Sequence, residues 1–161
     1  MTSNTNPTKI TTEPGLPFVD VVREFDAPVA DLFKAHVDPD LFSRWVGPKG
    51  LEMEEINFDI RNGGTYRFVH GDKDGSYAFR GTVHTVVPNE LLIQTFEYEG
   101  WPNGVSLDYY HFEDLGNGRS RLTTHSILPS LEALEGMLES GMEHGVTDGY
   151  EKLDELLAEG V

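Results

Sequence analysis

Between Leu51 and Leu128 the chain reads as six alternating stretches separated only by short turns, and this feature limits its fold more than any other. The stretches are 51–59, 63–71, 76–87, 90–98, 104–114 and 119–128. Between them stand Asn62-Gly63-Gly64, Asp72 to Gly75, Pro88-Asn89, Pro102-Asn103-Gly104 and Gly116-Asn117-Gly118. Glycine and asparagine accept the left-handed backbone of tight turns, and proline presets a turn angle. Parallel strands need crossovers of roughly a dozen residues or more, so links this short imply an antiparallel meander.

The flanks have a different period. Phe18 to Phe25 alternates as a first strand, with Val19, Val21 and Phe25 on one face. Asp26-Ala27-Pro28 then reads as a helix start, with Asp26 as its cap and Val29, Leu32, Phe33 and His36 at helical spacing. That helix must stop before Pro39. Asp38-Pro39 begins a second short helix carrying Leu41, Phe42 and Trp45, and Gly47-Pro48-Lys49-Gly50 ends it as a turn. From Ser130, a good N-cap, the helical period returns and is expected to hold to about Ala158 as one long helix, with Glu132 and Glu135 near its positive end. Residues 1–15 are polar, lack the apolar segment of a signal peptide and are expected to form a disordered arm. Residues 16–161 are expected to form a single domain.

The last helix carries the pattern closest to function. Leu131, Leu134, Leu138, Met142, Gly145, Gly149, Leu153 and Leu156 fall on one stripe. Gly145 and Gly149 supply no side chain in its middle, and each costs about 1 kcal/mol against alanine in a helix interior. Either the glycines let a strand or an aromatic ring approach closely, or they leave an unfilled space between helix and sheet. The sequence leaves both readings open.

Composition narrows the chemistry. With 161 residues, 38% of them hydrophobic, the chain can build a real core. It has no cysteine, which excludes disulfides, thiol nucleophiles and thiolate metal sites. Twelve Lys and Arg face 28 Asp and Glu, a net charge of -16, and such a surface repels nucleic acid and anionic lipid. No stretch is apolar for the roughly 18 residues that membrane insertion needs. A cytoplasmic location, without metal or cofactor, is the expectation. The six histidines contain no His-x-x-x-His pair, the serines no nucleophile elbow, and the glycines no phosphate loop. Glu52, Glu54, Glu55 and Asp59 read as a solvated strand face.

Candidate site residues therefore come from the aromatic strands. Tyr66 and Phe68 share a face, as do Tyr77 with Phe79 and Tyr109 with His111. His70, His111 and His125 lie on separate strands and can converge if their neighbours two residues earlier point inward. Trp101 begins a turn at a hairpin end, where it can cover an opening; core packing is the more ordinary account of all the aromatic residues. His144 lies off the apolar stripe and is expected in solvent.

Strand, two short helices, six strands and a final helix is the order of the helix-grip architecture of the START and polyketide-cyclase (SRPBCC) superfamily, shared with the birch-pollen allergen. Within it the chain resembles bacterial proteins related to the activator of the heat-shock protein 90 ATPase. The matching residues are Arg23, Ala27-Pro28, Leu32-Phe33, Asp38-Pro39, Leu41, Arg44-Trp45-Val46-Gly47-Pro48, Gly63-Gly64-Thr65-Tyr66-Arg67, Gly81, Pro88-Asn89-Glu90-Leu91 and Gly141-Met142-Glu143-His144-Gly145. Val46 and Val146 stand where relatives often carry tryptophan. The resemblance spans about residues 17–158. It implies an α+β fold in which a curved antiparallel sheet of about seven strands carries the terminal helix across it, over a cavity used for sterols, lipids, polyketides and other apolar molecules.

The reading is a binding protein for a small apolar or aromatic molecule. Its cavity would be lined by Tyr66, Phe68, Phe79, Trp101, Tyr109, His111, His125, Leu138, Met142, Gly145 and Gly149. A cyclase or dehydratase acting through Tyr/His pairs ranks second, and a chaperone-partner module third. Weak homodimerisation stays open.

Overall fold

The turns behave as their residues demand. Asn89, Asn103 and Asn117 adopt φ of 65°, 71° and 56°, the left-handed region that asparagine tolerates better than most residues. The computed structural model describes residues 6–161. Its strands are β1 (Thr8–Thr12), β2 (Phe18–Phe25), β3 (Glu52–Phe58), β4 (Thr65–Asp72), β5 (Gly75–Val87), β6 (Leu91–Tyr98), β7 (Ser106–Gly116) and β8 (Arg119–Ile127). Helices α1 (Val29–Val37) and α2 (Pro39–Trp45) follow β2, and α3 (Leu131–Glu139) and α4 (Met142–Glu159) follow β8. One antiparallel sheet of eight strands runs β1-β2-β8-β7-β6-β5-β4-β3.

Three expectations need correction. The first is the N-terminal arm, in which Thr8–Thr12 forms β1 and pairs with β2 from Thr8↔Arg23 to Thr12↔Val19. Its β-branched residues suit a strand, and Ile10 packs against the core. Residues 1–5 of the expected arm lie outside the described residues. Second, α1 starts after Pro28 without a side-chain cap, because the Asp26 carboxylate accepts from Arg119 Nε at 3.0 Å. Asp38 does cap α2, accepting from the amides of Asp40 and Leu41.

Third, the long final helix is two helices. Ser130 Oγ caps α3 by accepting from Ala133 N at 3.1 Å, as expected. The helix then ends at Ser140, and Gly141 takes φ +92°, a left-handed conformation that suits glycine and interrupts the helical ladder. The break turns Leu131 and Leu138 of the apolar stripe toward solvent, 41% and 36% exposed, while Leu134 is buried.

The stripe's glycines have a packing role. A Cβ on Gly149 would lie 3.3 Å from Trp45 O and 3.4 Å from Gly47 N, and one on Gly145 would lie 3.7 Å from Pro48 Cδ. The room they leave is occupied by the Trp45–Pro48 turn, so the first of the two readings holds and the glycines are no sign of a ligand space. Lys152 Nζ reaches the carbonyls of Val46 and Pro48, and Lys49 N donates to Asp148 Oδ2 at 2.9 Å. Trp45 Nε1 donates to Ala35 O at 2.9 Å, and the indole sits 6.1 Å from the Tyr150 ring. Val46 and Val146 both pack against this core.

The fit predicts unequal responses along α4. Gly145→Ala should raise unfolding stability by up to about 1 kcal/mol through helix propensity, since Pro48 leaves room for a methyl. Gly149→Val should lower it by roughly 1–3 kcal/mol, because rigid backbone stands in the way. Equal effects in urea denaturation would refute the interlock.

Candidate functional site

The sheet's inner face places one polar set where a core would ordinarily be apolar. Cross-strand pairing lines up Gln94 (β6), Asp108 (β7) and Ser126 (β8), ending at Val19 (β2). The next inward row is Leu92, Tyr110 and Thr124. Because strand side chains alternate, Ser106, Asp108, Tyr110 and Phe112 all point inward, and Leu107, Tyr109 and His111 point out.

Asp108 is 6% exposed. Burial pushes its carboxyl up to about 6, while the hydroxyls of Ser126 and Ser106 favour the ionised form. Ser106 Oγ lies 2.9 Å from Asp108 Oδ1. The Gln94 side chain stands beside the Tyr110 hydroxyl, and Gln94 Oε1 is buried without a hydrogen-bond partner. Burial raises Tyr66 and Tyr110 well above the usual phenol range, and the charge of Asp108 adds to both shifts. Tyr66 is held in place by donating to Thr95 O at 2.5 Å.

His36 closes this interior from the α1 side. Its ring lies 6.1 Å from Tyr110 and 4.9 Å from Trp45, and burial lowers its pKa to about 4. Nδ1 sits 2.8 Å from Leu32 O and so carries the proton of the neutral ring, leaving Nε2 a buried acceptor without a partner.

The residues expected from sequence divide into two groups. Tyr66, Phe68 and Phe79 are on the inner face, with Phe68 stacked on Phe79 at 5.2 Å and Phe79 on Phe96 at 5.2 Å. Met142 packs against both apolar clusters, joining the main core to the smaller one of Val19, Leu128 and Leu134. Tyr109, His111 and His125 are on the opposite face, the consequence of a register displaced by one residue from the expected one. Tyr109 does sit across from His125, but toward solvent, where His125 Nδ1 lies 2.7 Å from Asp20 Oδ1. His70 is buried and points in, so the three histidines do not converge. His144 is in solvent as expected, its side chain 74% exposed.

Trp101 is 51% exposed, yet its indole lies where a side chain on Gly136 of α3 would have to go. The β6–β7 hairpin tip therefore rests on α3. With Leu134 as its one buried side chain and Gly141 behind it, α3 is the least anchored helix over the sheet.

A separate open depression of about 770 Å³ lies across β3–β6, lined by Tyr66, Gly81, Arg67, Arg80, Thr82 and Glu97 among others. Its arginines are already engaged, Arg67 by Glu99 and Glu55 and Arg80 by Glu97. We place the candidate chemistry at Asp108, where buried polar groups lack such partners. Among the described residues there is no His, Asp or Glu group arranged to hold a metal ion, and no helix is long and apolar enough to cross a membrane.

A single antiparallel sheet, two short helices after its β2 strand and a terminal helix gripping the inner face define the START-like helix-grip class. The chain belongs to the family described as Activator of Hsp90 ATPase homolog 1-like protein, whose pattern covers residues 26–158. Similar solved structures include a crystal structure of a Rhodobacter sphaeroides protein, 24% identical with a TM-score of 0.85, covering 94% of this chain and 99% of that one. A solution structure of an Arthrobacter aurescens protein is 25% identical, TM-score 0.83, with 95% and 92% coverage. DynU16, from the dynemicin biosynthetic locus, is 21% identical with a TM-score of 0.66, covering 89% of this chain and 48% of that one, and shares the fold. No curated protein sequence matches the chain.

Proposed function

We propose that the protein binds a small, mostly apolar molecule between the inner face of β6–β8 and helices α3 and α4. The observation that carries this reading is the inward polar row: a buried carboxyl without an ion-pair partner beside a buried amide oxygen without a donor. Apolar side chains would fill this place at lower free energy, and unsatisfied buried polar groups cost roughly 1–3 kcal/mol each. Ligand sites have this make-up of apolar walls with a few polar groups that fix orientation. The walls are Phe79, Phe96, Tyr66, Met142 and Val146, and α3 is the element whose displacement about Gly141 admits the ligand.

Purified protein should carry a small molecule in its native mass spectrum, or melt several degrees higher with some member of a panel of fatty acids, sterols, aromatic polyketides and arylalkylamines. Binding should slow amide exchange in α3. No co-purified mass and no shift across the panel would remove the reading.

A catalytic version is favoured by one observation. A carboxyl with a pKa near 6, close to the Tyr110 hydroxyl, can hold or release a proton at neutral pH, as a cyclase or dehydratase requires. Turnover that survives Asp108→Asn undiminished would dispose of it.

A further inference from the structure

We infer that the ligand carries a protonated amine, whose cationic head meets Asp108 and Gln94 Oε1 while its apolar body lies against the aromatic wall. This rests on the binding reading above and names the chemical class that the site selects.

The donors and acceptors gathered at the site decide what it can take. Gln94 and Asp108 are direct cross-strand partners, so their side chains face one space. An ionised carboxylate only accepts, through two oxygens, and Gln94 Oε1 adds another acceptor. Against these stand the hydroxyls of Ser106 and Ser126. Ser106 has one proton and two acceptors in reach, Asp108 Oδ1 at 2.9 Å and Phe96 O at 3.4 Å. The Tyr110 hydroxyl lies beside the Gln94 side chain, yet Gln94 Oε1 has no hydrogen-bond partner. Gln94 Oε1 stays without a donor, and two serine hydroxyls do not fill the roughly four acceptor sites of the carboxylate, so the missing partner is a donor.

Charge gives the same answer. Among the described residues no Arg, Lys or His forms an ion pair with Asp108. The titratable groups that face it are Tyr66 and Tyr110, with Tyr150 of α4 beyond Tyr110, and all are neutral at pH 7. The buried arginine, Arg23, is occupied by Asp154. A buried carboxylate left unpaired is costly, and an entering ammonium group supplies both its counter-charge and up to three donors. The aromatic faces of Tyr66, Phe79 and Phe96 suit a cation better than an anion. A net charge of -16 also draws cations toward the protein and repels carboxylates.

The test uses two matched sets at pH 7: 4-phenylbutylamine, 4-phenylbutanol and 4-phenylbutyrate, and dodecylamine, dodecanol and dodecanoate. Affinities are measured by calorimetry on the whole chain and on Asp108→Asn and Gln94→Leu. The amine should bind at least about tenfold tighter than its alcohol, and the carboxylate weakest. Asp108→Asn should bring the amine down to the alcohol's affinity. Gln94→Leu should weaken the amine several-fold. An alcohol binding as tightly as its amine in both sets would overturn the amine assignment and leave the binding reading standing. An amine preference that survives Asp108→Asn would also overturn it, since attraction to the acidic surface would then be the cause. Absence of binding by all six compounds, together with a native mass spectrum free of ligand, would remove both.

Discussion

Asp154→Ala should lower unfolding stability by about 3 kcal/mol, the largest loss expected from any single exposed-side substitution in this protein. Arg23 is 1% exposed and fully inside the β2 side of the core, with its guanidinium 4.7 Å above the Phe25 ring. Its Nη1 and Nη2 donate to the two carboxylate oxygens of Asp154 at 2.8 and 2.6 Å, and Nε has no partner. Removing Asp154 would strand a buried cation. Removing Arg23 instead would leave a carboxylate that is 30% exposed and can take up water. Arg23→Met should therefore cost less than Asp154→Ala, and the double variant should recover part of the loss. Urea denaturation of the three variants checks this. If Arg23→Met is the most damaging of them, Arg23 acts through its packing and the ion pair is incidental.

Asp108→Asn should gain about 3 kcal/mol of stability relative to the parent protein as the pH rises from 4 to 7. The ordinary carboxyl value of 3.8 becomes about 6 in the fold. Between those values the native state holds a proton that the unfolded chain has released, so stability from this group falls as pH rises through the window. Asparagine never ionises and removes that loss. His36 acts in the opposite sense: its pKa of about 4 lies below the ordinary 6.5, so the unfolded chain takes up a proton that the native state refuses. Stability from His36 is lost as pH falls from 6.5 toward 4. In the parent the two slopes oppose each other, and Asp108→Asn should unmask the histidine's. A difference between variant and parent that does not change with pH would place Asp108 in contact with water and end its candidacy. A residue that destabilises its own fold at neutral pH is expected at a functional position.

The sequence made strand order and turn positions readable because turn residues declare themselves locally. Every predicted hairpin closes near its Gly, Asn or Pro. The register of β7 was not readable in the same way. In Ser106-Leu107-Asp108-Tyr109-Tyr110-His111-Phe112, both alternations contain an aromatic ring, and Leu107, Tyr109 and His111 look the more apolar at their first members. The true inward set begins with serine and aspartate, residues that a pattern argument assigns to water. The Phe112 end, buried at 5% exposure, was the available signal for the correct phase. Gln94 and Asp108 were missed for the same reason: their value lies in violating the rule used to find a core. The glycines of α4 were misleading in the reverse direction, since nothing local to the helix reveals that residues 45–48 fill the space beside them. The break at Gly141 was legible in Ser140-Gly141, a pair with weak helix propensity.

The interlock of α2 and α4 has a consequence for the ribosome. The groove that receives the Trp45–Pro48 turn is supplied by residues made about a hundred positions later, and β2 waits for β8 as its neighbour. During synthesis the early helices have nothing to close against, and the aromatic residues of α2 stay bare through the manufacture of the whole meander. Maturation is then a single late event, and a chain halted before α4 should be a substrate for quality control at birth.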